Sequence, residues 1–261
     1  EIPRFEPRMR ILDLGCGTGV IGAAAGARVP RGDVTLVDCN VVAVACARRT
    51  LEANRIDWAE VRLGDGVEGL GHASYDLVLS HLPRGREVQR ELIRGAARVL
   101  RPGGRFIFVA SARVGVKGCI SYAREVFGRC GVVRQRKAYH VAMTLRSEGM
   151  ELPLAGGRYQ RRSIVLDGSE VTLISKPGVF AWDRLDGGTE RLVGAMEIGM
   201  ADRVLDLGCG TGLAGLAAAR RAVELEPEDS NILDTLAEVH FRLGDSEQAL
   251  LVIEKALAIA P

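Results

Sequence analysis

The 261 residues carry 35 basic and 33 acidic side chains, a net charge of +2, and a hydrophobic content of 47%. This is enough for one large or two small cored domains, and the near-neutral balance does not mark a nucleic-acid binder by composition alone. Apolar runs fall short of the ~18 residues of a membrane span, residues 1–4 lack the layout of a signal peptide, and the six cysteines form no CxxC pair, so no membrane, disulfide frame or metal is expected and the cytoplasm is the expected compartment.

Short apolar runs at 10–14, 34–37, 61–63, 77–80 and 106–110 read as buried parallel strands. Helical patterns at 20–28, 41–54, 87–100 and 116–127 separate them, and Pro102-Gly103-Gly104 marks one of the joints. Repeated βα units predict an open α/β sheet with helices on both faces. The runs 132–137 and 140–145 are too close for a crossover helix, so they predict an antiparallel hairpin at the sheet edge. A polar, glycine-containing linker follows at 147–162. Beyond it, 163–166 and 170–174 flank Asp167-Gly168, a hairpin signal. A short helix is expected over 189–196, a sixth buried strand over 203–207, and an unbroken helix over 213–225.

Two internal repeats cross this pattern. Leu12-Asp-Leu-Gly-Cys-Gly-Thr-Gly19 recurs as Leu205-Asp-Leu-Gly-Cys-Gly-Thr-Gly212, which points to a duplicated domain. Arg221-Ala-Val-Glu-Leu-Glu-Pro227 is echoed by Lys255-Ala-Leu-Ala-Ile-Ala-Pro261, a 34-residue period of tetratricopeptide length. The expected domains are 1–146, a linker at 147–162, the truncated start of a second copy at 163–219, and helices at 220–261.

The first glycine loop opens a helix directly after a strand. Gly17-Thr-Gly-Val-Ile-Gly22 satisfies the dinucleotide fingerprint, with Asp38 placed for a ribose. A dinucleotide sets its pyrophosphate at the helix N-terminus, however, and Asp13 at the strand end repels it. A ligand with an ammonium and a sulfonium but no phosphate is favoured instead. Asp38 can accept from ribose hydroxyls and Asp65 from an adenine amine. Singly each Asp reads as a cap or turn residue. At three successive strand ends they read as a site.

ILDLGCGTG, TLVDCN, VRLGDG, YDLVLS and RVLRPGGRF, in this order and spacing over 8–146, resemble the motifs of class I S-adenosylmethionine (SAM)-dependent methyltransferases. The resemblance implies a Rossmann-like seven-stranded sheet ending in the antiparallel hairpin. It also implies that Gly15, Gly17 and Gly19 cradle the methionine part of SAM beside Asp13, with Asp38 at the ribose and Asp65 at the adenine. YDLVLSHLPRG, VGVKG and SKPGVF further resemble the bacterial small-subunit ribosomal RNA guanine-N2 methyltransferases. Those enzymes have two tandem halves, the N-terminal one degenerate, and 1–146 resembles that half.

The family places Asn/Asp-Pro-Pro-aromatic after the fourth strand, and this chain has His81-Leu82-Pro83-Arg84. His81, Pro83 and Arg84 are the candidate catalytic residues. His81 can accept one hydrogen bond and Arg84 can stack on a base, although both also read as ordinary strand-end and solvated residues. Arg86, Arg90, Arg94 and Arg98 form a helical stripe that reads as a solvated face diluted by Glu87 and Glu91. Arg134-Gln-Arg-Lys137 and Arg158-Tyr-Gln-Arg-Arg162 are better placed for RNA.

The segments 230–242 and 246–258 resemble a tetratricopeptide (TPR) helix pair. Leu233, Leu236, Ala237, Ala249, Ile253, Ala256 and Pro261 fall at signature positions, and His240 takes a usually aromatic one. A TPR hairpin implies a protein partner. The expected function is therefore SAM-dependent methylation of a ribosomal RNA base amine. The alternative is an inactive SAM-fold module whose TPR extension makes it an RNA or protein adaptor.

Overall fold

The computed structural model describes residues 5–30, 32–153, 159–199, 202–242 and 244–259. Residues 1–4, Arg158 and Pro261, each used in the sequence reading, lie outside the described residues, as does 154–158 of the expected linker. The chain divides into two units, Glu1–Gly157 and Arg158–Pro261.

In the first unit four βα steps and one helix-free connection build the sheet. The strands are β1 (Arg10–Leu14), β2 (Asp33–Asp38), β3 (Ala59–Leu63), β4 (Tyr75–His81), β5 (Leu100–Ser111), β6 (Gly131–Arg136) and β7 (Tyr139–Leu145). They form a seven-stranded sheet in the order β3-β2-β1-β4-β5-β7-β6. The first five strands are parallel, and β7 runs antiparallel to both β5 and β6. The expected Rossmann-like sheet with an antiparallel edge hairpin is thus present.

Side chains alternate across the pleat and divide the core in two. Leu12, Val78, Phe106 and Phe108 pack with α3 (Arg86–Val99) and α4 (Val116–Phe127). Ile11, Leu36 and Leu77 pack with α1 (Val20–Gly26) and α2 (Val41–Ala53). Asn40 caps α2, its side chain accepting from the Val42 and Ala43 amides. This satisfies donors that the first helical turn leaves unpaired. Pro102-Gly103-Gly104 does not end the helix–strand joint as expected, because β5 already begins at Leu100. Gly103 and Gly104 exchange backbone bonds with Arg146, at 2.8 and 2.9 Å, so this stretch has a partner across the sheet.

The second unit begins with β8 (Gln160–Leu166) and β9 (Ser169–Ser175), an antiparallel hairpin that starts inside the expected linker. Asp167 and Gly168 both take positive φ, 51° and 75°, the type I′ turn that the Asp-Gly pair signals. Helices α5 (Gly187–Ala195), α6 (Leu213–Leu225), α7 (Ser230–Arg242) and α8 (Ser246–Ile259) follow. Leu166, Leu173, Val193, Leu216 and Leu236 form the core of this unit. Within the α7–α8 pair, Leu233, Leu236, Ala237, His240, Ala249 and Ala256 are buried.

The expected sixth strand at 203–207 is absent: this stretch forms no strand, and Leu205 and Leu207 are 81% and 90% exposed. Its sequence, RVLDL, is nearly that of β1, RILDL. A strand also needs neighbours for its amides and carbonyls. β1 has β2 and β4 on its two sides, whereas the chain after 212 continues into helices.

Candidate functional site

The carboxyl ends of β1, β2, β3 and β4 meet along one edge of the sheet, where open α/β sheets hold ligands. The loop after β1 is held from below. The amides of Gly15 and Cys16 donate to the Val37 carbonyl at 2.9 and 3.0 Å, and Ser80 Oγ donates to the Leu14 carbonyl at 2.7 Å. Gly15, Gly17 and Gly19 take φ of 72°, 54° and 78°, the left-handed region that favours glycine. A Cβ at Gly15 or Gly17 would meet nothing within 4 Å, so both open onto free space. A Cβ at Gly19 would instead strike Ala47, so this glycine lets the loop pack against α2.

Asp13 lies under the loop and not at its surface. It is fully buried, and Oδ2 accepts from the Gly22 amide at 2.7 Å. Its Oδ1 is buried without a hydrogen-bond partner among the described residues. Burial drives its pKa from 3.8 up to about 7, the Gly22 amide partly opposes this, and the Asp38 charge adds to the rise. Asp13 thus sits at the strand end expected from sequence, but from this buried position it can reach a ligand above the loop only through its field. Cys16, buried beside it, is pushed up to about 12 by burial and by the charges of Asp13 and Asp38, so its thiol stays protonated.

Asp38 joins the first loop to the second strand. Its Oδ2 accepts from the Gly17 amide and its Oδ1 from the Asn40 amide, both at 2.9 Å. Each oxygen retains acceptor capacity, since a carboxylate offers about four lone-pair sites. The Gly64 amide donates to the Asp38 carbonyl at 3.0 Å, which brings the turn carrying the exposed Asp65 to the same edge. A glycine cradle over a buried, under-partnered acid, flanked by Asp38 and Asp65, suits a cationic, phosphate-free ligand with a ribose. The residues fit S-adenosylmethionine in this sense.

His81 ends β4 and is exposed, as are Pro83 and Arg84, while Leu82 between them is buried and donates its amide to the Val109 carbonyl at 2.9 Å. Two buried groups that the sequence reading missed hold this turn. Gln89 Nε2 donates to the carbonyls of Pro83 at 2.6 Å and Val114 at 2.8 Å, and Cys119 Sγ donates to Gln89 Oε1 at 3.2 Å. A glutamine amid a helix's apolar face (Val88, Leu92, Ala96) was the only available signal. Tyr139, also missed, sets its ring edge-on to His81 with centroids 6.3 Å apart.

The arginine stripe on α3 is not a continuous solvated face. Arg90 pairs with Glu87 at 3.3 Å and lies over the Tyr122 ring, and Arg98 donates to the Pro153 carbonyl at 3.1 Å. Arg134, Arg136 and Lys137 are exposed. In the second basic run, Arg162 lies over the Trp182 ring and Arg161 approaches Asp245 at 4.0 Å. No group of three or more metal-ligating side chains occurs among the described residues, and no described helix is long and apolar enough to cross a membrane.

The family model for the methyltransferase small domain matches residues 2–143 and again 170–235, the second match reaching into α7. A ribosomal RNA large subunit methyltransferase G of Streptomyces avermitilis is 38% identical over 121 residues, 44% of this chain and 32% of that protein. A ribosomal RNA small subunit methyltransferase C of Hahella chejuensis is 37% identical over 117 residues, 42% of this chain and 33% of that protein. The chain thus spans about a third of the length of these two relatives. Among solved structures, a T. thermophilus 16S rRNA N2 methyltransferase in complex with AdoMet and guanosine superposes with a TM-score of 0.58 at 24% identity. That superposition covers 84% of this chain and 63% of the other, and the likeness is one of fold.

Proposed function

Because the chain belongs to the methyltransferase small domain family, we propose that its first unit binds S-adenosylmethionine and methylates an exocyclic amine of a ribosomal RNA base, of the guanine-N2 type. The observation that carries this reading is the link from Asp38 to the Gly17 amide at 2.9 Å, which fixes a ribose acceptor against the glycine cradle. Asp13 supplies a negative field beneath the cradle, and Asp65 offers an acceptor for the adenine amine. When bound, S-adenosylmethionine supplies a methyl carbon on a positively charged sulfur, which departs as a neutral thioether.

The protein's own task is mainly to position the amine for in-line attack. His81 accepts a hydrogen bond from that amine through a ring-nitrogen lone pair and takes the proton that the nitrogen sheds once the methyl carbon is bound to it. Gln89 fixes the Pro83 carbonyl and so the course of the turn, and Arg84 is free to stack on a base. The ribosomal RNA names of the relatives support the choice of substrate. Residues 163–219 are read as the truncated start of a second copy, and 220–261 as TPR-like helices offering a protein-binding face. Six unpaired thiols suit the cytoplasm.

The second reading, a non-catalytic adaptor, is favoured by one observation: 81–84 carries neither the carboxamide nor the aromatic of the family's tetrapeptide. Calorimetry with S-adenosylmethionine, followed by transfer of labelled methyl to ribosomal RNA, separates the two. Micromolar binding that Asp38→Ala abolishes, together with labelled RNA, is the expected result. Binding without label selects the adaptor, and no binding rejects the methyltransferase reading.

A further inference from the structure

The aromatic missing from 81–84 has a counterpart two strands away. In the sheet register His81 pairs with Val109, and Val109 pairs with Val141. Residues paired across strands share a face, and so do residues two apart along a strand. Tyr139, two before Val141, therefore stands on the same face as His81, consistent with their 6.3 Å ring contact. Tyr139 is 51% exposed, so its ring is open to a ligand beside His81.

The same register continues to the sheet edge. Arg136 pairs with Tyr139 and Arg134 with Val141, which puts both guanidinium groups on this face, and both residues are exposed. The Ala112 amide donates to the Ala138 carbonyl at 2.8 Å and ties the tip of the β6–β7 hairpin to the end of β5. The tip thus belongs to the ligand edge of the sheet. From β4 to β6 is three interstrand spacings, about 14 Å, a reach of a few nucleotides. The face presents, in order, an acceptor, an aromatic ring and two cations. Single-stranded nucleic acid is bound by this combination, bases on aromatic faces and phosphates on a basic track.

We propose that Tyr139 is the stacking platform for the target base, and that Arg134 and Arg136 hold the phosphates flanking it in a single-stranded RNA segment. This deepens the reading of the site as an RNA base methyltransferase and rests on it. Tyr139 replaces by topology the aromatic that the tetrapeptide lacks. A protein ligand has no planar base to stack, so the phenyl ring and not the hydroxyl decides between them.

The test uses the full chain and a fluorescent, guanine-containing single-stranded RNA hexamer, with affinity read by anisotropy at several salt concentrations. Tyr139→Phe keeps the wild-type affinity, whereas Tyr139→Ala weakens it about tenfold. Arg134→Glu combined with Arg136→Glu lowers the slope of log affinity against log salt by about 1.4, the value for two single-strand phosphate contacts. Tyr139→Ala binding as tightly as wild type, Tyr139→Phe as weak as Tyr139→Ala, an unchanged salt slope, or no hexamer binding by wild type overturns the proposal. Methyl transfer to ribosomal RNA is measured on the same proteins. A wild type that binds the hexamer as expected but transfers no methyl strikes the activity reading alone.

Discussion

At the residue scale, Asp13 carries the most chemistry for its size. Its carboxyl holds a proton in the folded chain up to about pH 7, and in the unfolded chain only up to its ordinary 3.8. The folded state therefore binds more protons between these values, and stability falls as pH rises from about 4 to about 7. Asp13→Asn keeps an acceptor for the Gly22 amide and removes the titration. Denaturant unfolding of this variant should lose that pH-dependent decline. A cation held over the loop favours the ionised form, so wild-type affinity for S-adenosylmethionine should tighten with pH through about 7 and level off above it. The variant should bind more weakly and show a flat profile by calorimetry. The glycines separate in a second way. Gly17→Ala places a methyl in open space, so its cost to folding is confined to about 1–2 kcal/mol of left-handed strain while ligand affinity falls at least about tenfold. Gly22→Ala drives a Cβ to within 2.4 Å of buried Leu36. That substitution should cost about 1–3 kcal/mol of overpacking, read as a lower unfolding midpoint.

At the element scale, the turn after β4 is held by the first turn of the helix that follows it. Gln89 on α3 is buried and bonds two carbonyls on separate turns, with Cys119 on α4 completing the link. Gln89→Ala leaves both carbonyls without this donor and should cost about 2 kcal/mol. It should also lower methyl transfer through kcat more than through KM for S-adenosylmethionine, because the glycine cradle is untouched. Gln89→Glu keeps the shape and loses the donor, and it should behave like Gln89→Ala in transfer kinetics. Neither Gln89 nor Tyr139 could be recognised in the sequence. The role of each depends on which residues the sheet and helices bring alongside it, and one polar residue in an apolar stripe does not name its partners. The edge hairpin, by contrast, was legible, because too few residues separate its strands for any crossover. The glycine loop and its three acids were legible as well, since each sits at a strand end that hydrophobic patterning marks. The stretch 203–207 was misread for the opposite reason. Its pattern is that of β1, but a strand is completed by neighbours that lie far away in sequence.

At the scale of the whole molecule, the repeated octapeptide separates what local sequence determines from what the sheet determines. The second loop reproduces the first in its backbone: Gly208, Gly210 and Gly212 take φ of 79°, 53° and 75°. Asp206 accepts from the Gly215 amide at 3.0 Å as Asp13 does from Gly22 at 2.7 Å. The Gly212 amide donates to the Cys209 carbonyl at 2.7 Å, matching Gly19 to Cys16 at 2.9 Å. These contacts need only eleven consecutive residues, 205–215, and they form without a flanking sheet. A site needs more than the loop. Around the first copy, β2 and β3 deliver Asp38 and Asp65, and their registry with β1 fixes where those acids stand. After the second copy the chain enters α6 and α7, and no acidic strand end follows among the described residues. Asp206 is only half-buried, so solvent screens the field beneath the second loop more than it does beneath the first. Calorimetry should accordingly return one S-adenosylmethionine per chain. Asp38→Ala should remove all of that heat, and Asp206→Asn should leave both stoichiometry and affinity unchanged. A stoichiometry of two, with the second site lost in Asp206→Asn, would mean that the octapeptide suffices by itself and that the acids at the strand ends only refine a site the loop already makes.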